Sequence, residues 1–306
     1  MKKRNPLFVI LFTVFLDMLG IGILIPVIPI LLADPTSPSY LLPAGISVQS
    51  GYILLGFLIA IFPFMVFLSA PILGQLSDRY GRKKILVICL FGTCISYLIF
   101  AIAILTKNIP LLFISRAFDG ITGGNISVAQ AVIADITPPE KRSRTFGLIG
   151  AAFGFGFVIG PFLGGVLADY KIVSWFNAAT PFWFAALLSF INIILLITNL
   201  TETHTPSPDA DVEMNRSIKN IVKAFSHADL KVLFFSAFLF QAGFAFYLTF
   251  FSVFLIIRFH ATPGTIGLYF AYIGVWIVIA QAFVTRQLSH RFREDQVLRV
   301  SMLGLG

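Results

Sequence analysis

The sequence predicts an all-α polytopic membrane protein, built as a six-helix bundle followed by part of a second bundle. Three observations predict it. The chain has 306 residues, of which 58% are hydrophobic and only 12% charged, where a soluble domain carries about 25% charged residues; its mean hydropathy is +0.91. Apolar runs of 18 or more residues with at most one charge recur along it, each long enough to cross a hydrocarbon core about 30 Å thick as a helix. Between these runs the basic residues collect on alternate connections. Barrel strands are excluded, because they alternate in polarity over about 10 residues and these runs do not.

The first run follows MKKRNP and resembles a secretory signal at its start. It continues to Leu32, holds Asp17 and ends in LLADP without a small-x-small cleavage site, so it reads as a retained transmembrane helix. The predicted spans cover 7–32, 48–73, 85–105, 110–134, 146–168, 179–200, 231–257 and 264–285, with a ninth starting near Gln296. Between the sixth and seventh lies TETHTPSPDADVEMNRSIKNIVKAFSHADLK, polar and then basic and amphipathic, which reads as a linker. The expected units are an amino-terminal bundle at 1–200, a cytoplasmic linker at 201–230 and a partial second bundle at 231–306.

Placing the amino terminus in the cytoplasm puts Lys2, Lys3, Arg4, Arg79, Arg82, Lys83, Lys84, Lys141, Arg142, Arg144, Arg216, Lys219, Lys223, Lys231, Arg286, Arg291 and Arg293 inside. Only Lys107, Lys171 and Arg258 fall outside. One missed span would scramble this bias. The net charge of +8 is thus accounted for by orientation and anionic lipid heads rather than by nucleic acid. The bilayer and a small molecule are the expected partners, and the expected oligomeric state is a monomer. Cys89 and Cys94 lie five apart on different helix faces, suiting neither a disulfide nor a metal. No polar stretch is long enough to hold an enzyme domain, and no protein cofactor is expected.

Four stretches depart from bland apolar sequence. Asp17 falls near the middle of the first span, where a charged carboxylate costs about 2.5–3.5 kcal/mol by insertion scales. It shares a stripe with Thr13, Gly20 and Leu24 that would face a cavity, and it reads either as a proton- or substrate-coupling group or as a structural acid. In the fourth span Arg116, Asp119, Gly120, Gly123, Ser127, Gln130 and Ala134 form one polar and small-residue stripe. Arg116 and Asp119, at i and i+3, read as a pre-paired couple or as a substrate or proton site. Gly156, Gly160 and Gly164 recur every four residues beside Pro161 and Gly165, a spacing that lets helix backbones approach. GQLSDRYGRKK concentrates Asp78, Arg79, Arg82, Lys83 and Lys84 between two spans. The basic residues, Lys83 and Lys84 above all, read either as anchors for two helix ends in the cytoplasmic leaflet or as part of an ion-paired latch, which the lone acid Asp78 and the tight turn that Gly81 permits suit better.

QLSDRYGRKKIL at 75–86 aligns with QLSHRFREDQVL at 287–298, each after the second span of its half. Two parallel repeats around a cavity is a secondary-transporter plan. In the second copy His290 replaces Asp78, and Gln241 stands where Asp17 does.

With these motifs in place the chain resembles the drug:proton antiporter branch of the major facilitator superfamily, especially its tetracycline-type exporters. GQLSDRYGRKK is similar to the family's loop motif, FLDMLGIGILIPVIP to its first-helix motif, RAFDGITGG to its fourth-helix motif and GFGFVIGPFLGG to its antiporter motif. The resemblance implies the major facilitator fold, with twelve spans in the complete family members, so that about a third of the fold would be absent here. It implies proton-coupled export of small amphiphilic drugs, cationic ones among them, from a bacterial inner membrane, with the proton as coupling ion. It implies that Gly74, Asp78, Arg79, Gly81 and Arg82 form a gate, with Arg82 reaching Asp135 at the end of the fourth span. Arg116 would take part in proton transfer, and the helix-five glycines would form a pliable seal. One departure is Ile277, where tetracycline exporters carry a histidine before a shared QAFV. The competing readings are a metabolite or sugar transporter on the same fold and a truncated fragment that transports nothing.

Overall fold

The computed structural model describes residues 6–43, 45–207, 212–213, 215–226 and 228–280. Among these it is helical, without strands. The helices are α1 (Pro6–Leu32), α2 (Val48–Tyr80), α3 (Arg82–Leu105), α4 (Ile109–Thr122), α5 (Asn125–Ile136), α6 (Arg142–Ala168), α7 (Thr180–Asn199), α8 (Arg216–Ser226), α9 (Ala228–Phe259) and α10 (Pro263–Ile279), with a 3₁₀ turn at Pro139–Lys141 before α6. A lipid solvent offers no hydrogen bonds, so each span must satisfy its backbone within itself, which a helix does. α1, α2, α3, α6, α7 and α9 are each long and apolar enough to cross a membrane.

Ends of the helices are set by local chemistry. Ser47 Oγ accepts from the Ser50 amide at 3.2 Å to start α2, and Asn108 Oδ1 accepts from the Leu111 amide at 3.0 Å to start α4. α2 runs seven residues past the expected boundary, through QLSDRY, and stops at Gly81 with φ 102°. Only glycine adopts that backbone conformation at little cost.

The fourth predicted span is two helices. Gly123 and Gly124 lower helix propensity together, and α2 binds the resulting joint: Ser69 Oγ donates to Gly120 O and Ser127 Oγ to Ala70 O, both at 3.1 Å. The break resets the helical phase. α5 buries Asn125, Val128, Ala129, Val132 and Ile133, and Gln130 is exposed, so the single stripe expected from Arg116 to Ala134 does not form.

α1 lies at the centre, packed on α6, α7 and α5, while α3 packs on α7 and α4. Phe100 and Phe182 meet in the α3–α7 seam with ring centroids 4.3 Å apart, both fully buried. α10 packs along α6, joining the second part of the chain to the first. The rest of the eighth predicted span, the ninth, and the second loop copy at 287–298 lie outside the described residues. α9 presents exposed Phe235, Phe238, Leu239, Phe240 and Phe246, a surface that water would reject and hydrocarbon accepts.

Candidate functional site

Asp17 sits where α1 passes α3, α4 and α5. Its Oδ1 accepts from Asn125 Nδ2 at 3.3 Å. Its Oδ2 and the Asn125 Oδ1 are buried without a protein partner. A cavity of about 20 Å³ opens between Asp17, Thr93, Tyr97, Asp119, Gly123 and Ile126, room for about one water. One turn before, Thr13 and Asn192 of α7 exchange hydrogen bonds at 3.1–3.3 Å in a fully buried pair. Of the stripe Thr13, Asp17, Gly20 and Leu24, the first three face the inside of the bundle, with Gly20 against the Tyr97 hydroxyl, and Leu24 lines the larger cavity.

Arg116 and Asp119 form a buried ion pair, Nη1 to Oδ2 at 2.6 Å, each side chain only about 5% exposed. The guanidinium lies 4.3 Å from the Phe62 ring centroid, a cation–π geometry. Its Nε is buried without a partner. A desolvated charge needs such partners to be tolerated.

Between the first bundle and α9 lies a larger cavity of about 260 Å³, walled by Ile21, Leu24, Ile25, Ile28, Ile59, Phe62, Pro63, Phe157, Ala245, Leu248 and Thr249, with Arg116 on its edge. The apolar lining with few polar groups suits an amphiphilic small molecule. Ile21 and Phe62 line both this cavity and the small polar one at Asp17. An ionisable cluster and an apolar chamber therefore share a wall.

At the end of the bundle that holds Gly81, Arg82 joins three elements. Its Nη1 reaches Asp78 Oδ1 at 2.6 Å and Ser77 Oγ at 2.7 Å, and its Nε reaches Asp135 Oδ2 at 3.1 Å. α2, α3 and α5 are thereby tied through one guanidinium whose planar fork suits several acceptors at once. Arg79 stacks 5.5 Å from the Tyr80 ring, outside this cluster, and Gly74 offers its carbonyl to Ser77 Oγ at 2.7 Å.

Glu202, just past α7, is a member the sequence reading missed. Its carboxylate accepts from the amides of Arg82 at 2.8 Å and Lys83 at 3.2 Å, capping the amino end of α3. A side chain at Gly81 would collide with it. The linker continues across the same surface: Thr203 Oγ1 donates to Asp135 Oδ2 at 3.3 Å, the Ser207 amide to Asp78 O at 3.1 Å, and the Glu213 amide to Gln75 Oε1 at 2.7 Å.

The glycines of α6 serve two partners. A methyl group at Gly156, Gly160 or Gly164 would fall 2.5–2.6 Å from the backbone oxygens of Phe15, Leu19 and Ile23 of α1. On another face Gly165 touches Pro263 and Gly267 of α10, and Gly267 lies against Pro161 O. Gln241 stands exposed on α9.

A central chamber bounded by two sets of helices, a buried carboxyl beside it and an ion-paired loop at one end define a membrane transporter. The profile described as Major Facilitator Superfamily matches residues 10–306, and the chain belongs to that family. It is 37% identical to "Tetracycline resistance protein, class C" of Escherichia coli, over 99% of this chain and 72% of that protein. It is 33% identical to the class H protein of Pasteurella multocida, over 98% and 70%. Among solved structures it is similar to the human organic anion transporter MFSD10 (TETRAN), with TM-score 0.68, 25% identity, and 94% and 73% covered. A bacterial homolog of the lysosomal transporter Spinster, in an inward-facing and unoccupied conformation, matches with TM-score 0.67, 18% identity, and 94% and 62% covered.

Proposed function

We propose that this chain acts as a proton-coupled secondary transporter that exports small amphiphilic drugs by alternating access, as the tetracycline resistance relatives' names suggest for their own substrates. The observation that carries the mechanism is the position of Asp17: one carboxylate oxygen bonded to Asn125 and the other sealed without a partner, one shared wall away from the apolar chamber. A carboxyl there is neutral when it holds a proton and needs new partners or water when it does not. Exchange of its proton therefore changes the local packing, which is what coupling requires.

In this reading Asp17, with Arg116 and Asp119, carries the proton side of the cycle, and the chamber from Ile21 to Thr249 receives cargo. Gln130 on α5 and Gln241 on α9, both exposed, complete the proposed proton- and substrate-binding set. The cluster of Asp78, Arg82 and Asp135, with Gly74, Arg79 and Gly81 shaping the loop, holds the cytoplasmic end closed or open. Gly156, Gly160, Pro161, Gly164 and Gly165 form the joint along which the bundles rock. The units are taken as 1–200, 201–230 and 231–306, with the amino terminus in the cytoplasm of a bacterial inner membrane and the protein working as a monomer.

The test is inverted membrane vesicles loaded with a pH-sensitive dye. Adding tetracycline or a cationic dye to vesicles holding an imposed proton gradient releases protons if the reading is right. Uptake of a sugar or metabolite without proton movement in the opposite direction contradicts it.

A further inference from the structure

We propose that Asp169 is a positioning residue that latches α6 to α10 at the membrane face opposite the Arg82 cluster, and so controls access to the chamber from that face. The proposal rests on the alternating-access reading. Asp169 follows the last residue of α6 and is 3% exposed. Nothing in its sequence context, VLADYK, marks it out.

Both carboxylate oxygens are engaged. Oδ1 accepts from the Lys171 amide at 2.9 Å, which fixes the side chain's direction. Oδ2 accepts from the Gly264 amide at 3.3 Å across 95 residues of sequence. Gly264 lies in the first turn of α10, where amides lack partners within the helix. Pro263 has no amide hydrogen, the Thr265 amide goes to Thr262 Oγ1 at 3.3 Å, and the Ile266 amide to Thr262 O at 3.0 Å. The Gly264 amide is the donor left over, and Asp169 takes it. The positive end of the α10 dipole favours a negative partner there.

Below this contact the two helices touch without intervening side chains at Gly165 and Gly267. Small residues make the surfaces fit, but nothing about them is directional. The charge-assisted hydrogen bond is directional, and separating the helix ends breaks it and leaves a buried carboxylate without its partner. α6 belongs to the first bundle and α10 to the second, so the bond joins the two moving parts. The neighbouring acid Asp34 spends its side chain locally on Thr36 and spans no such junction.

The experiment uses the full chain in membranes with Cys89→Ser and Cys94→Ser and a probe, Thr249→Cys, in the chamber wall. A membrane-impermeant maleimide is applied separately from each face. Asp169→Ala is expected to raise labelling from the Asp169 face by about tenfold, the size of one charge-assisted bond, and to lower it from the other face. Asp169→Asn, which keeps an acceptor, gives a smaller rise, and Asp34→Ala gives none. Gly264→Ala, whose methyl would lie 2.9 Å from Oδ2, shifts labelling in the same direction and serves if Asp169→Ala does not accumulate. Unchanged labelling in these variants, or an equal rise from both faces, overturns the proposal. Labelling needs no cargo, so this outcome is separate from failure of drug-driven proton release.

Discussion

The carboxylate of Glu202 lies over the amino end of α3 and takes the Arg82 amide at 2.8 Å, although the two residues are 120 positions apart. One contact thus joins the start of the linker to the turn whose arginine holds Asp78 and Asp135. The segment just past α7 is thereby bonded into the Arg82 cluster, which Thr203 and Ser207 also reach through Asp135 and Asp78.

Removing that cap has a defined cost. Glu202→Ala leaves the Arg82 and Lys83 amides to water and should lower thermal stability in detergent by about 1 kcal/mol, within the usual range for helix caps. Glu202→Gln keeps an acceptor and should lose about half as much. Equal melting temperatures for all three proteins would remove Glu202 from the account.

Arg82→Lys keeps the charge and loses the fork. A lysine ammonium cannot hold Asp78, Ser77 and Asp135 from one planar group. Transport in vesicles is expected to fall about tenfold, equivalent to about 1.4 kcal/mol of bias between conformations. Asp135→Asn in the Arg82→Lys background should then add little, which a double-mutant cycle measures.

The glycine face offers an internal control. Gly160→Ala drives a methyl group into Leu19 O and should destabilise by about 1–3 kcal/mol, as overpacking does. Gly150, on the same helix, has open space at its Cβ position, and Gly150→Ala should be neutral or slightly stabilising. Chemical denaturation in detergent distinguishes the two.

Thr13 and Asn192 bond to each other at 3.1–3.3 Å, and Thr13 Oγ1 also reaches the Val9 carbonyl at 3.0 Å. Thr13→Val should cost about 1–3 kcal/mol by leaving the buried Asn192 amide short of a partner. Adding Asn192→Leu should recover part of that loss, because both polar groups are then gone.

Much of this arrangement was legible in the chain because a bilayer leaves few options. An apolar run must be a helix, and α1, α3 and α7 start and stop within a few residues of the expected limits. Arg116 with Asp119 was legible from i, i+3 spacing, and Arg82 with Asp135 from the motifs' resemblance to a family. The break at Gly123–Gly124 was not, since a glycine pair in an apolar run is tolerated within a helix unless a neighbour binds the joint; Ser69 of α2 does so by donating to Gly120 O, and Ser127 of α5 reaches back to Ala70 O of α2. Glu202 and Asp169 were missed for a related reason. Each acts on an amide far away in sequence, and periodicity carries no trace of that. Asn192 did leave a signal, a strongly polar side chain inside the apolar run of α7, and so did Asn125, which approaches Asp17 from the other side.

The central claim is that Asp17 exchanges the proton that drives export. Its most direct test is Asp17→Asn in inverted vesicles, with drug-induced proton release and drug accumulation read together across pH. The account predicts that proton release disappears and that accumulation against a gradient fails while drug binding persists. Wild-type accumulation with an unchanged pH dependence would contradict it.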